Sequence, residues 1–277
     1  MSYHRPLKRK RGVREYKKET HGPHPGGAPE STCETYPRED EYAEVPGGKP
    51  TDPLDLEMDG INGFMHVRCP RGKTKCPCGR LALHIDSLVI AIDGACPGNG
   101  SLNATRSGGG IFFGTSFGAN SPTTDYKQNF AFRIPDHSYY PHTSQRAELH
   151  AAAGALLKAR HYVNEGGQFP CEGCVRPCTV KHIVLKTDSA YLVKGITSHI
   201  NKWRHNGWRT ADRREVKNRD LWEWLDRLIN AYDDMDVVVD FWLVRREHNV
   251  QADALAAIDS AMSLTLTIEG GFKNGFF

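Results

Sequence analysis

Residues 187–224 read TDSAYLVKGITSHINKWRHNGWRTADRREVKNRDLWEW. The apolar run Ile183, Val184 and Leu185 leads into Asp188, so a carboxylate stands where a buried strand ends. A short helix is expected next, and then a basic run interleaved with Trp203, Trp208 and Trp222. A lone carboxylate at a strand end says little. Beside a cationic, tryptophan-studded arm it points to phosphodiester chemistry, in which acids hold metal ions and the arm holds a nucleic-acid backbone.

Upstream, residues 88–92 (LVIAI) form a continuous apolar run ending in Asp93, followed by the turn GACPGNG at 94–100. Residues 109–117 and 128–134 read as two further strands joined by an Asn/Ser/Pro/Thr loop. Residues 144–164 read as a helix whose packing face is Ala147, Leu149, Ala151, Ala155, Leu156 and Ala159. A fourth strand spans 181–187, Asn218 can cap a helix over 219–231, a fifth strand spans 237–244, and Asn249 opens a last helix through 262. The predicted order is three strands, helix, strand, helices, strand, helix, which makes this an α/β chain.

Four carboxylates stand out along that order: Asp93 in DGACPGNG, Glu148 in TSQRAELHAA, Asp188, and Asp253 in HNVQADALAA. Taken singly, each has a plain reading. Asp93 forms a turn, and Glu148 and Asp253 favour the positive end of a helix. Taken together in this order, they suggest a metal site.

The local wording, TDS-Y, the GIT before the arm, GW-TAD at 207–212 and VKN-DLW at 216–222, closely resembles the type 1 ribonuclease H family over residues 87–264. The resemblance implies a ribonuclease H-like fold, with a five-stranded mixed sheet flanked by helices. It also implies that Asp93, Glu148, Asp188 and Asp253 hold two Mg²⁺ ions, with Mn²⁺ able to substitute. Two such ions about 4 Å apart need a bridging carboxylate and several flanking ones. The implied activity is that of an endonuclease acting on the RNA strand of RNA/DNA hybrids by a two-metal-ion mechanism, leaving 5′-phosphate and 3′-hydroxyl ends. The family carries a mobile His in the loop before its last Asp. In this chain that loop (LVRREHN) is shorter, so His248 either fills the role or simply precedes the helix.

For the substrate, the resemblance implies RNA contacts through 2′-hydroxyls at Cys96, Asn99 and Gln145, the group that distinguishes RNA from DNA. It leaves Arg146 for a phosphate. The arm, with Lys202, Trp203, Arg204, Trp208, Arg209, Arg213, Arg214 and Lys217, is expected to take the DNA strand. Trp203 and Trp208 also admit a second reading, as core residues anchoring the arm. The alternative function is a catalytically weak or silent nucleic-acid-binding protein of the same fold, for which the short loop is the support. Four mutually repelling carboxylates weigh against it.

Residues 1–80 are rich in Pro, Gly and charge and are expected to be a disordered basic region, with the catalytic domain at 84–265 and a tail at 266–277. The net charge of +3 does not by itself argue for nucleic acid. No apolar run approaches the roughly 20 residues that span a bilayer, so no membrane partner is expected. An intracellular monomer is expected. Lys8, Arg9, Lys10 and Arg11 form either a nuclear localisation patch or a solvated tail, and a mitochondrial address is the weaker option because of Glu15 and Glu19. Cys69, Cys76 and Cys78 precede the domain, and Cys171, Cys174 and Cys178 lie in a Gly/Pro-rich insertion. Neither trio closes a tetrahedral Zn²⁺ site alone. Together they could, or all six are reduced surface thiols.

Overall fold

The computed structural model describes residues 56–60, 63–68, 83–84, 86–99, 104, 106–115, 129–137, 139–164 and 180–261. Its central sheet is built from β4 (Ser87–Ala95), β5 (Gly108–Phe112), β6 (Phe130–Arg133), β7 (His182–Thr187) and β8 (Val238–Leu243). The strands lie in the order β6–β5–β4–β7–β8. β4, β5 and β6 pair antiparallel, while β4 pairs parallel with β7 and β7 with β8. This is the expected mixed five-stranded sheet. Parallel neighbours require crossovers. Helix α1 (Ser144–Asn164) lies in the first, and α2 (Ala190–Lys194), α3 (Ile200–His205) and α4 (Arg219–Asp233) lie in the second.

β4 is apolar on both faces because both are covered. Leu88, Ile90 and Ile92 join Ile183, Leu185 and Phe241 in the main core with α1 and α4. Val89 joins Val184, Trp242 and Val244 in a second cluster on the opposite face. Helix α5 (Val250–Ala261) also packs on that face, over β5. It comes so close that a Cβ at Gly110 would sit 2.2 Å from the Ala252 carbonyl oxygen, and only glycine permits the approach.

Three short strands, β1 (Glu57–Asp59), β2 (Met65–Arg68) and β3 (Leu83–His84), form a second, antiparallel sheet. This corrects the expectation that residues 1–80 are uniformly disordered and that the domain begins at 84. Leu56, Phe64 and Val67 are buried, the Met65 N–H donates to the Phe113 carbonyl at 2.7 Å, and the Val67 N–H donates to Ser87 Oγ at 2.8 Å. These sparse apolar residues find their partners on the distant main sheet, so no local pattern marks them as strands. Residues 1–55, the cysteines Cys69, Cys76, Cys78, Cys171, Cys174 and Cys178, and the tail at 266–277 lie outside the described residues. Among the described residues, no helix is long and apolar enough to cross a membrane.

The chain from α2 to α4 forms the arm. A π-turn at Gly195–His199 joins α2 to α3, and Trp208 and Arg213 adopt left-handed backbone angles beyond it. Asn218 occupies the cap position of α4 as expected, but with a left-handed φ of 58° and without a capping side-chain hydrogen bond. Its carbonyl takes the Leu221 and Trp222 N–H groups instead.

Candidate metal centre and nucleic-acid interface

β4 and β7 run parallel and side by side, so they deliver Asp93 and Asp188 to the same sheet edge. α1 crosses that edge carrying Glu148. The contact depends on Gly94, where a Cβ would lie 2.2 Å from the Glu148 backbone nitrogen. One carboxylate oxygen from each of Asp93, Glu148 and Asp188 lies within 4.8 Å of the other two. Asp253, in the first turn of α5, raises the Asp93 pKa through its charge and accepts a hydrogen bond from Arg246 Nη2 at 2.5 Å. Buried Asn249 donates from Nδ2 to the Ile92 carbonyl at 2.9 Å, which ties the start of α5 to β4 one residue before Asp93.

Burial pushes the Asp93 carboxyl up to about 6, with further lifts from the charges of Asp188 and Asp253. Burial lifts Glu148 to about 9, and the neighbouring charges of Asp93 and Asp188 add to it. Glu148 Oε2 is buried without a hydrogen-bond partner. Carboxylates this close cannot all ionise unless a cation sits among them. Oxygen-only donors in an incompletely protonated, partly open cluster suit a hard divalent ion such as Mg²⁺ or Mn²⁺.

From this loop the sequence singled out His248 alone, either to fill the family's loop role or simply to precede the helix. In the short 3₁₀ turn Arg246–His248, Arg246 reaches the cluster, and its charge couples to Asp253, Asp188 and Asp93. His248 instead exerts its charge on Glu57, in the N-terminal sheet. With few residues between β8 and α5, the turn aims the first of its three side chains at the carboxylates. Arg246 and Asn249 are the site neighbours that sequence reading missed. The basic pair Arg245–Arg246, just before an acidic helix start, was the available signal for the first.

Asn99 and Gln145 lie at the same edge. Asn99 Oδ1 accepts from the Ser144 N–H at 3.0 Å, joining the turn to α1, and Gln145 is exposed beside it. Cys96 is buried at the start of that turn. Arg146, expected to be available to a phosphate, is not. Its side chain is 9% exposed, donates to both oxygens of Asp220 at 3.0 and 2.8 Å, and stacks on Tyr140. It acts as a strut between α1 and α4.

The arm divides in the same way. Arg204 is committed to Asp226 of α4 through Nε at 2.8 Å and through Nη2. Trp208 is buried and Trp203 half-buried, with ring centroids 6.2 Å apart, and Trp203 packs on buried Trp222 at 5.5 Å. Both tryptophans thus pack against the core at the base of the arm. Arg209 donates to the Arg213 carbonyl and Arg214 pairs with exposed Asp212. Lys202, Arg213 and Lys217 are exposed cations.

Residues 86–258 match the RNase H family model. Among curated relatives, Ribonuclease H1 of Mus musculus is 30% identical over 148 residues, covering 53% of this chain and 41% of its own length. Ribonuclease H of Treponema pallidum is 42% identical over 94 residues, covering 34% of this chain and 46% of its own. The chain thus spans less than half the length of either relative. Among solved structures, RNase H1 from Halobacterium salinarum NRC-1 superposes with a TM-score of 0.38 at 21% identity, covering 63% of this chain and 99% of that one.

Proposed function

This chain belongs to the type 1 ribonuclease H family, and on that premise we propose that it is an endonuclease hydrolysing the RNA strand of RNA/DNA hybrids with two Mg²⁺ ions, leaving 5′-phosphate and 3′-hydroxyl ends. The observation that carries the proposal is the convergence of Asp93, Glu148 and Asp188 from β4, α1 and β7 within 4.8 Å. When bound, such ions lower the pKa of an attacking water and stabilise the leaving 3′ oxygen and the charge developing on phosphorus.

The chain's own residues do the rest. Asp93, Glu148, Asp188 and Asp253 would hold the ions, and Glu148 would have to be ionised to do so. Arg246 restrains Asp253 and offsets part of the cluster's charge. Asn99 and Gln145, at the start of α1, face the RNA strand and read its 2′-hydroxyls. Lys202, Arg213 and Lys217, with Arg209 and Arg214, neutralise phosphates of the DNA strand. Contacts of that kind position a duplex without selecting its sequence.

The test is cleavage of a labelled RNA/DNA hybrid in Mg²⁺, beside matched RNA/RNA and DNA/DNA duplexes and the Asp188→Asn variant. Hybrid-only cleavage that disappears in the variant is expected. Tight hybrid binding with no cleavage in either Mg²⁺ or Mn²⁺ would overturn the proposal in favour of a silent binding protein.

A further inference from the structure

Lys186 lies in β7, two residues before Asp188, and its side chain is only 4% exposed. The sheet register sets it beside Ala91 of β4 and Trp242 of β8. Asp93 follows Ala91 by two residues. Side chains two apart on a strand share a face, so Lys186 lies on the face of Asp93, one rung of about 7 Å below it. A flexible four-carbon stem brings the carboxylate cluster within range of its ammonium group.

The ammonium does not go there. Lys186 Nζ is bound by Glu57 Oε1 and lies 5.9 Å from the Trp242 ring centroid. Glu57 comes from β1, 129 residues away in sequence, and its side chain is 5% exposed. A buried ammonium must have an anion. Without Glu57, the carboxylates one rung above are available to supply one, and they are the oxygens a divalent ion needs.

We propose that Glu57 is a positioning residue that holds Lys186 off the metal-binding carboxylates, making the N-terminal sheet a working part of the metal centre. The inference rests on the metal-centre reading above. The small sheet then does more than cover apolar surface, because it sets the net charge that the cluster offers to a cation.

The experiment is calorimetric titration of the full chain with Mg²⁺ and with Mn²⁺, in the absence of nucleic acid, alongside thermal melts. Glu57→Gln is expected to weaken metal binding about tenfold, the effect of one added positive charge at about 7 Å in a partly screened site. Adding Lys186→Met to that variant removes the competing ammonium and is expected to restore affinity to within about twofold. Unchanged affinity in Glu57→Gln, or a double variant as weak as the single one, overturns the proposal. If Glu57→Gln does not fold, the comparison moves to Lys186→Met and Glu57→Leu/Lys186→Met. Both are expected to bind metal at least as tightly as the parent, and weaker binding in either overturns the proposal. A parent protein that binds neither ion sinks the metal-centre reading itself, and this inference with it.

Discussion

Arg246 Nη2 donates to Asp253 Oδ1 at 2.5 Å, and its positive charge also couples to Asp188 and Asp93. The short connection between β8 and α5 thus gives the acidic cluster a cation from the chain itself. The histidine two residues later exerts its charge on Glu57.

Arg246→Ala is therefore expected to lower turnover about tenfold at saturating Mg²⁺ with little change in KM, the pattern of a group that acts after substrate binds. Arg246→Lys should recover part of the loss, and His248→Ala should stay within about twofold of the parent. Steady-state kinetics on a labelled hybrid decides the matter. A larger effect at His248 than at Arg246 would return the loop role to the histidine.

Asp188→Asn is expected to reduce cleavage by about a thousandfold or more, since it removes a ligand from the cluster. The same change should raise the melting temperature of metal-free protein, because it takes one like charge out of a crowded group. Calorimetry in chelator checks the second half. A lower melting temperature would mean that the carboxylates stabilise one another by hydrogen bonding more than they repel.

The stability of the metal-free protein should depend on pH in an unusual direction. Glu148 is held at about 9 and Asp93 at about 6, both chiefly by burial. The folded chain therefore keeps protons that the unfolded chain releases in the ordinary carboxylate range. The stability they confer is fully present below that range and is lost as pH rises through about 6 and then about 9. A fall in melting temperature on the order of 5 °C is expected across that window, with Glu148→Gln flattening its upper part. Mg²⁺ binding should release protons in the same window, read by calorimetry in buffers of different ionisation enthalpy.

The cations of the arm and of α1 should separate into two behaviours. Lys202→Ala, Arg213→Ala and Lys217→Ala are each expected to weaken hybrid binding and to lower the salt dependence by about one counterion, with little effect on melting. Arg146→Ala and Arg204→Ala break part-buried ion pairs with Asp220 and Asp226 and are expected to lower the melting temperature. Their effect on the salt slope should be small. A full counterion lost in Arg146→Ala would show that this side chain leaves Asp220 to meet a phosphate.

Strand and helix order, the placing of Asp93 and Asp188 at strand ends, and α1 at 144–164 were legible in the sequence, because each rests on local periodicity and on residues that end an apolar run. The four carboxylates could be named for the same reason, since each stands in a short local wording. What each cation touches could not be read that way. Arg146 and Arg204 sit in basic-looking stretches, but their partners, Asp220 and Asp226, lie 74 and 22 residues further on. Trp203 and Trp208 look alike as aromatics in an arm, and only the packing of Trp208 on Trp203 and of Trp203 on Trp222 ties them to the core.

The N-terminal sheet was invisible for a related reason. Its strands are too short and too polar to announce themselves, and they gain their burial only from a sheet formed by residues far along the chain. Local chemistry determined which elements form and which acids they carry. The tertiary structure alone decided which charges are spent inside the fold, Lys186 on Glu57 and Arg146 on Asp220 among them, and which remain for a ligand. Charge pairing is set by distance in space, and a sequence records only distance along the chain.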